Sequence, residues 1–228
     1  MAGRLVYVWD AKTGALVSKH DDGAMDDPKV RHVLEKRRYN VPPASHLPIL
    51  FGEPEGAKVC IARWGFPIPQ RPNGVFNTRI ETAGESPMWR GLLGKSHGAF
   101  FVQGYYEWND KGRREPYFVH RADGEPMLLA AVVGMRAIAG ERRQCASIVT
   151  CEPSEEMGRI HSRMPVVLES PEALDWLNPQ AAGLPRCIEI AGPADAGILA
   201  MHEVGPGVNS TKNDRPDLPE PVRKDEGA

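Results

Sequence analysis

The chain has 228 residues and a net charge of −2, with 41% hydrophobic and 25% charged residues. That is enough for one domain with a real core, and the balance excludes a disordered or fibrous bulk. No apolar run approaches the roughly 20 residues of a membrane helix, and Met1–Trp9 lacks the apolar stretch of a signal peptide.

The predicted elements begin with a strand at Leu5–Trp9. Asp27 is placed to cap a helix whose first residue is Pro28 and which runs to about Arg37. Pro42 forces Val41 out of the helical region, so the chain is extended again by then. Strands follow at Leu47–Phe51 and Lys58–Trp64, and Asn73-Gly74 reads as a turn. The run Ala99–Trp108 reads as one strand. Asp110-Lys111-Gly112 is expected to join it in a hairpin to Pro116–His120, and Asp123-Gly124 to join that strand to Met127–Met135. Further strands are expected at Ala146–Cys151 and Pro165–Leu168. Pro153–Arg159 is a candidate helix, and Ser170 with Pro171 is expected to open another at Glu172–Leu177. Strands dominate and helices are inserted between them, which argues for a single β-rich α+β domain. From Asp214 onward, Pro216, Pro219 and Pro221 among acidic residues predict a loose tail, giving a domain at 1–215 and a tail at 216–228.

Charge is spread unevenly. Residues 29–115 hold 14 basic and 8 acidic groups, and residues 116–228 hold 11 and 17. So neutral a chain is not a general DNA coater, but it can carry a local basic groove that engages one nucleic-acid feature. The four cysteines, Cys60, Cys145, Cys151 and Cys187, include no C-x-x-C pair. Neither a disulfide scaffold nor a metal site is expected, and no cofactor is implied. Cys60, between Val59 and Ile61, reads as a buried apolar residue.

Four polar clusters sit beside strand ends or turns. They are Arg38-Tyr39-Asn40-Val41, Asn77-Thr78-Arg79-Ile80-Glu81, Tyr105-Tyr106-Glu107-Trp108 and His161-Ser162-Arg163. Asn77, Arg79 and Glu81 alternate, so an extended segment would put them on one face. Taken singly, each cluster also has an ordinary reading: a hydrogen-bonded sheet face, a solvated glutamate, a structural histidine.

Taken together and in order, the motifs resemble one family. Met1-x-Gly3-Arg4, Arg38-Tyr39-Asn40-Val41-x-Pro43, Trp64-Gly65, Asn77-x-Arg79-x-Glu81-Thr82, Gly104-x-x-Glu107-Trp108, His161-x-Arg163-x-Pro165 and Val208-Asn209-x-x-x-Asn213 are similar to those of the SOS response-associated peptidase (SRAP) family. The resemblance spans about residues 1–215. It implies mostly antiparallel strands around a barrel-like core, with a basic groove for single-stranded or junction DNA carrying abasic sites. The activity it implies is covalent capture of the abasic aldehyde by an N-terminal cysteine, with amine and thiol closing a thiazolidine. Residue 2 would then be the reacting group, Asn77 would hold it, and Glu107 and His161 would move protons. Arg4 and Arg79 would bind phosphates, and Arg38, Asn40, Trp64 and Lys212 complete the expected DNA-binding set.

At the reacting position this chain has Ala2, not cysteine. Its amine can still form an imine, because an α-amine titrates at about 7.7–8.0 and is partly neutral at pH 7. A reversible adduct or weak lyase activity is therefore expected, without thiazolidine. After Trp64-Gly65, where the family often adds tryptophans, Phe66-Pro67-Ile68-Pro69-Gln70 offers one ring, so phosphate contacts are expected to dominate. An autoproteolytic peptidase and a non-catalytic DNA- or protein-binding module are the alternatives. The protein is expected to be a cytoplasmic monomer.

Overall fold

The computed structural model describes residues 2–222 apart from residues 22 and 55. Its centre is a closed barrel of five strands: β3 (His46–Glu53), β4 (Gly56–Trp64), β8 (His97–Val102), β11 (Met127–Ile138) and β12 (Glu141–Cys151). β12 pairs with β11 on one side and with β4 on the other, which closes the ring β12-β4-β3-β8-β11. The β12–β4 pairing is parallel and the others are antiparallel. Closure leaves these strands no free edge. Their β-branched and aromatic side chains form one continuous core that includes Ile49, Trp64, Phe100, Val133 and Ile148.

β12 also carries two short partners near its far end, β7 (Asn77–Arg79) in parallel and β13 (Met164–Pro165) in antiparallel. β14 (Val167–Leu168) borders β11, and β5 (Phe66–Ile68) pairs with β6 (Arg71–Val75). A second sheet flanks the barrel, antiparallel throughout, in the order β15-β10-β9-β1-β2. Its strands are β1 (Arg4–Tyr7), β2 (Arg38–Val41), β9 (Gly104–Trp108), β10 (Pro116–Arg121) and β15 (Leu199–Glu203).

The expected single strand at Ala99–Trp108 is two strands, because the chain changes sheets at Gln103. The Gln103 carboxamide accepts from the Val8 N–H and donates to the Val8 carbonyl, both at 2.7 Å, and reaches the Thr13 hydroxyl at 2.6 Å. The next residue must be glycine. A Cβ on Gly104 would lie 2.4 Å from the Phe118 ring and 2.5 Å from the Val119 carbonyl. Asp110–Gly112 does join β9 to β10 in a hairpin. Asp123-Gly124 does not make the second one, since β10 belongs to the flanking sheet and β11 to the barrel. Asn73-Gly74 lies inside β6, where Gly74 takes a φ of 76°.

The helices are short: α1 (Ala11–Ser18), α2 (Pro28–Leu34), α3 (Ile80–Ala83), α4 (Glu172–Leu177), α5 (Pro179–Ala182) and α6 (Leu184–Ile190). Asp27 caps α2 by accepting from the Lys29 N–H at 2.7 Å. Ser170 does not cap α4; Pro171 occupies that position with no side-chain bond. The expected helix at Pro153–Arg159 is one 3₁₀ turn, Met157–Arg159. Glu81 leaves the Asn77–Arg79 face because α3 begins at Ile80.

The expected loose tail is packed through residue 222. Leu218 is buried with Val6, Tyr106, Phe118, Val204 and Val208 in a second core, and Pro221 bridges to Val204. Residues 223–228 lie outside the described residues. Cys60 is only partly buried. No helix among the described residues is long and apolar enough to cross a membrane.

α4 is clamped to the barrel through a histidine. The buried His97 ring stacks on Trp176, centroids 4.1 Å apart. Its Nε2 accepts from the Gly94 N–H at 2.9 Å, so Nδ1 carries the proton and donates to the Trp176 carbonyl at 3.0 Å. Burial pushes this imidazole down to about 4 from an ordinary 6.5. The unfolded chain therefore binds the extra proton first, and stability falls as pH drops through that window, by about 3 kcal/mol in total. Denaturant titrations between pH 7 and pH 4 should show this loss. His97→Gln should start less stable and lack that component, and an unchanged pH slope in the variant would contradict the assignment.

Candidate functional site

A pocket of about 700 Å³ opens where the end of β9 meets the start of β1. It is lined by residues that include Arg4, Glu107, Trp108, Asp110, Arg114 and His161. Five separate parts of the chain converge there. Gly3 bonds through its N–H to the Tyr106 carbonyl at 3.3 Å, which seats the chain start beside β9. Ala2, fully buried, lies next to the Gly3 that lines the pocket, and the Asn77 carboxamide donates to the Ala2 carbonyl at 3.2 Å. The Asn77 Oδ1 is buried with no hydrogen-bond partner among the described residues. Asn77 is held in place by β7, whose register on β12 puts it opposite Ile148.

Glu107 is 2% exposed, and the Trp108 N–H donates to its Oε1 at 3.2 Å. Burial raises the carboxyl above the usual carboxylate range, while His161 and the Trp108 N–H oppose that rise. The His161 Nε2 stands 3.8 Å from Glu107 Oε1 and 3.6 Å from Asp110 Oδ2. Its Nδ1 lies 3.2 Å from the Arg163 carbonyl and 3.0 Å from the Arg163 N–H, which fixes that edge of the ring and lets Nδ1 donate when Nε2 is bare. Arg163 is itself anchored, donating to both Glu81 oxygens at 2.9 and 2.8 Å and to the Thr150 carbonyl at 2.8 Å.

Around the mouth, the Arg4 guanidinium lies 5.7 Å from the Trp108 ring centre, and the Trp108 indole N–H donates to Asn209 Oδ1 at 2.7 Å. The ring is thus held by a cation on its face and a side-chain acceptor on its edge. Arg113 and Arg114 complete the lining. The mouth is rich in arginine, with the carboxyls of Glu107 and Asp110 deeper in or beside it.

Of the expected reacting set, Glu107 and His161 line the pocket with Arg4, while Ala2 and the Asn77 bonded to it lie outside the lining, next to Gly3 and Phe76 that line it. The rest of the expected DNA-binding set is scattered. Arg38, 3.8 Å from Asp214, and the exposed Arg79 and Lys212 lie outside the lining. Two expected contacts are structural instead. Trp64 is fully buried, its indole N–H donating to the Phe76 carbonyl at 3.0 Å, so it offers no ring to a base. Asn40 is buried, and its amide nitrogen lies within 3.2 Å of the Val208, Ser210 and Asn213 carbonyls, tying β2 to the C-terminal segment. Sequence reasoning missed Asp110, Arg113 and Arg114, which it treated only as turn and surplus charge. The adjacent arginines in the β9–β10 loop were the available signal. None of the four cysteines lines the pocket, and burial pushes the Cys60 and Cys151 thiols up to about 12.

Comparison with known proteins follows the same outline. The chain is 30% identical over 188 residues to the abasic site processing protein YedK of Escherichia coli, covering 81% of this chain and 85% of YedK. It is 27% identical over 188 residues to the abasic site processing protein YoqW of Bacillus subtilis, with 79% and 84% covered. The abasic site processing protein HMCES of Gallus gallus is 28% identical over 169 residues, 64% of this chain and 50% of that one. Among solved structures, a protein from Bacteroides thetaiotaomicron superposes with a TM-score of 0.80 at 20% identity, covering 98% of this chain and all of the other. One from Bordetella bronchiseptica gives 0.68 at 20% identity, covering 89% and 99%. The family model described as SOS response associated peptidase (SRAP) matches residues 1–211, and the chain belongs to that family.

Proposed function

We propose that this protein captures the ring-opened aldehyde of abasic sites in single-stranded or junction DNA as a reversible imine on the α-amine of Ala2. The reading requires removal of Met1, which the small Ala2 permits. The observation that carries it is a pocket lined by Glu107, His161 and arginines directly beside the chain start, where Asn77 holds the Ala2 carbonyl. Relatives whose names describe abasic site processing support the same substrate.

In the first step the neutral amine adds to the aldehyde carbon and gives a carbinolamine. A proton donated to its oxygen lets that oxygen leave as water, while the nitrogen loses a proton to give the C=N bond. Glu107 suits the donor role, because its buried carboxyl retains a proton more readily than an exposed one. His161 takes the proton from nitrogen. Without a thiol at position 2 the imine does not close to a thiazolidine, so water reverses it. Slow strand cleavage by β-elimination competes when a base removes the proton next to the imine carbon. Asn77 acts as a holder for the reacting residue, Arg4 acts on a phosphate flanking the lesion, and the exposed Arg79, outside the lining, can reach only a phosphate farther along the strand.

Incubation with an abasic single strand should give a denaturation-resistant adduct only when borohydride is present. The Ala2→Cys variant should crosslink without it. An adduct from neither protein would remove the reading, and loss of Met1 should be visible in the intact mass. Arg4→Ala should weaken binding and reduce the slope of log affinity against log salt by about 0.7, the value for one phosphate contact on a single strand. An unchanged slope would take Arg4 off the DNA.

Glu107→Gln separates chemistry from stability. A carboxyl raised on folding holds its proton more tightly in the native state, so its contribution declines as pH climbs past the ordinary carboxylate range. The variant should trap about 10²-fold less adduct or worse, yet unfold at a higher temperature than wild type at pH 8, with the gain vanishing near pH 4. A variant less stable at pH 8 would show that the buried carboxylate is compensated.

A further inference from the structure

Asp110 sits in the loop between β9 and β10 with a side chain about one-third exposed, while Glu107, three residues earlier, is closed off from water. A group that gives up a proton in each cycle must be recharged, and a buried carboxyl needs a path for that. The His161 imidazole stands between the two. Its Nε2 is 3.8 Å from the buried carboxyl and 3.6 Å from the exposed one. A small turn of the ring brings either within hydrogen-bond reach.

The placement of Asp110 is built rather than incidental. The Asp110 N–H donates to the Ile160 carbonyl at 3.0 Å. In return, the Ser162 N–H and hydroxyl donate to Asp110 Oδ2 at 3.2 and 3.0 Å. The Lys111 ammonium donates to the Gly158 carbonyl. These bonds clasp the β9–β10 loop to the segment carrying His161 on both sides of the ring. An acidic side chain at the mouth of a pocket for a polyanion works against binding, so its position calls for a role in the chemistry.

We propose that Asp110 is a positioning residue that holds the His161 ring beside Glu107 while Nε2 returns the proton taken from nitrogen to the buried carboxyl. The route rests on the imine reading above. The imidazole, having taken the proton from nitrogen at Nε2, turns and hands that proton from Nε2 to the Glu107 carboxylate left after each donation, while the Asp110 carboxylate holds the charged ring in place. The cycle returns every group to its starting state. The two carboxyls are tuned for such a transfer. Partial desolvation of Asp110 is outweighed by the Ser162 bonds and by His161, which hold it below the ordinary value, whereas burial keeps Glu107 above it.

The test uses Asp110→Asn, which keeps an oxygen for the Ser162 donors and removes the charge, and Asp110→Glu, which keeps the carboxylate. Both are made in the wild-type and Ala2→Cys backgrounds and reacted with saturating abasic single-stranded DNA. Wild type is read by borohydride trapping and Ala2→Cys by direct crosslinking. Asp110→Asn should slow adduct formation about tenfold, bind uncleaved abasic-analogue DNA as tightly as the parent or tighter, and be rescued by Asp110→Glu. Equal rates for Asp110→Asn and parent overturn the proposal, as does a slowed rate accompanied by weakened binding, which marks a loop disturbed as a whole. If Ala2 traps nothing while Ala2→Cys crosslinks, the imine reading fails and the second background still decides the role of Asp110. If neither background reacts, both fall.

Discussion

The double pairing of β12 is the constraint on which the molecule depends. One strand closes the barrel against β11 and β4, and beyond that closure it carries β7 and β13 as well. Register does the rest. Ile148 opposite Asn77 sets the residue that reaches Ala2, and Cys151 opposite Met164 sets the chain just after His161 and Arg163. A slip of one residue along β12 would turn Asn77 to the other face and carry the His161 segment out of reach of Glu107. The precision of the pocket is thus inherited from a barrel core that takes no part in its chemistry. The Thr78 hydroxyl bonded to Ser147 at 2.8 Å, and the Thr150 hydroxyl bonded to the Thr78 carbonyl at 3.2 Å, fasten this register from within the core.

The flanking sheet supplies the other half of the pocket, and the corner at Gln103 is one of its joins to the barrel. Gln103 binds both backbone groups of Val8, so β1 and the start of β9 move as one unit. Since Ala2 lies just before β1 and Glu107 lies on β9, the pairing of these strands sets the chain start beside the buried carboxyl. Burying Glu107 runs against stability, and the fold tolerates it because the surrounding pairings are decided elsewhere.

Much of this was legible in the residues. Runs of Val, Ile, Phe and Tyr marked the strands, and Asp27-Pro28 marked α2 because a short acceptor before proline satisfies the first free N–H groups. What was not legible has physical causes. α1 hides behind Gly14 although Asp10 caps it through the Thr13 N–H. α6 begins at Leu184-Pro185 and buries Cys187 and Ile190 while leaving Leu184 and Ile188 exposed, so apolar residues on both faces blur its inward stripe. The alternation Asn77-Arg79-Glu81 promised a shared face, but pairing with β12 stops at Arg79, and Glu81 turns instead to Arg163. Asp123-Gly124 shows how a turn signal gives a reversal without saying which sheet receives the next strand. At the site, the ordered motifs pointed to Ala2, Asn77, Glu107 and His161. They also pointed to Trp64 and Asn40, which serve the fold, because a motif does not distinguish a residue that touches a ligand from one that holds the wall behind it.

On the proposed reading, alanine at position 2 isolates one atom's worth of chemistry. An imine and a thiazolidine share the amine, the aldehyde and every proton transfer up to loss of water. They differ in whether a sulfur then adds to the C=N carbon. On the proposed reading, everything the scaffold contributes acts before that point: Asn77 on the Ala2 carbonyl, the buried carboxyl, the imidazole beside it and the arginines at the mouth. Removing the thiol therefore changes the equilibrium and leaves the approach intact, turning a permanent attachment into one whose lifetime is set by how fast water returns. The same groups that assist loss of water assist its return, by microscopic reversibility. A pocket tuned for fast capture is then equally tuned for fast release, and the fraction of DNA held depends on affinity for the flanking phosphates together with the imine equilibrium. On that reading the buried acid sets how fast an abasic site is covered and released, and the arginine mouth adds to how much of it is covered.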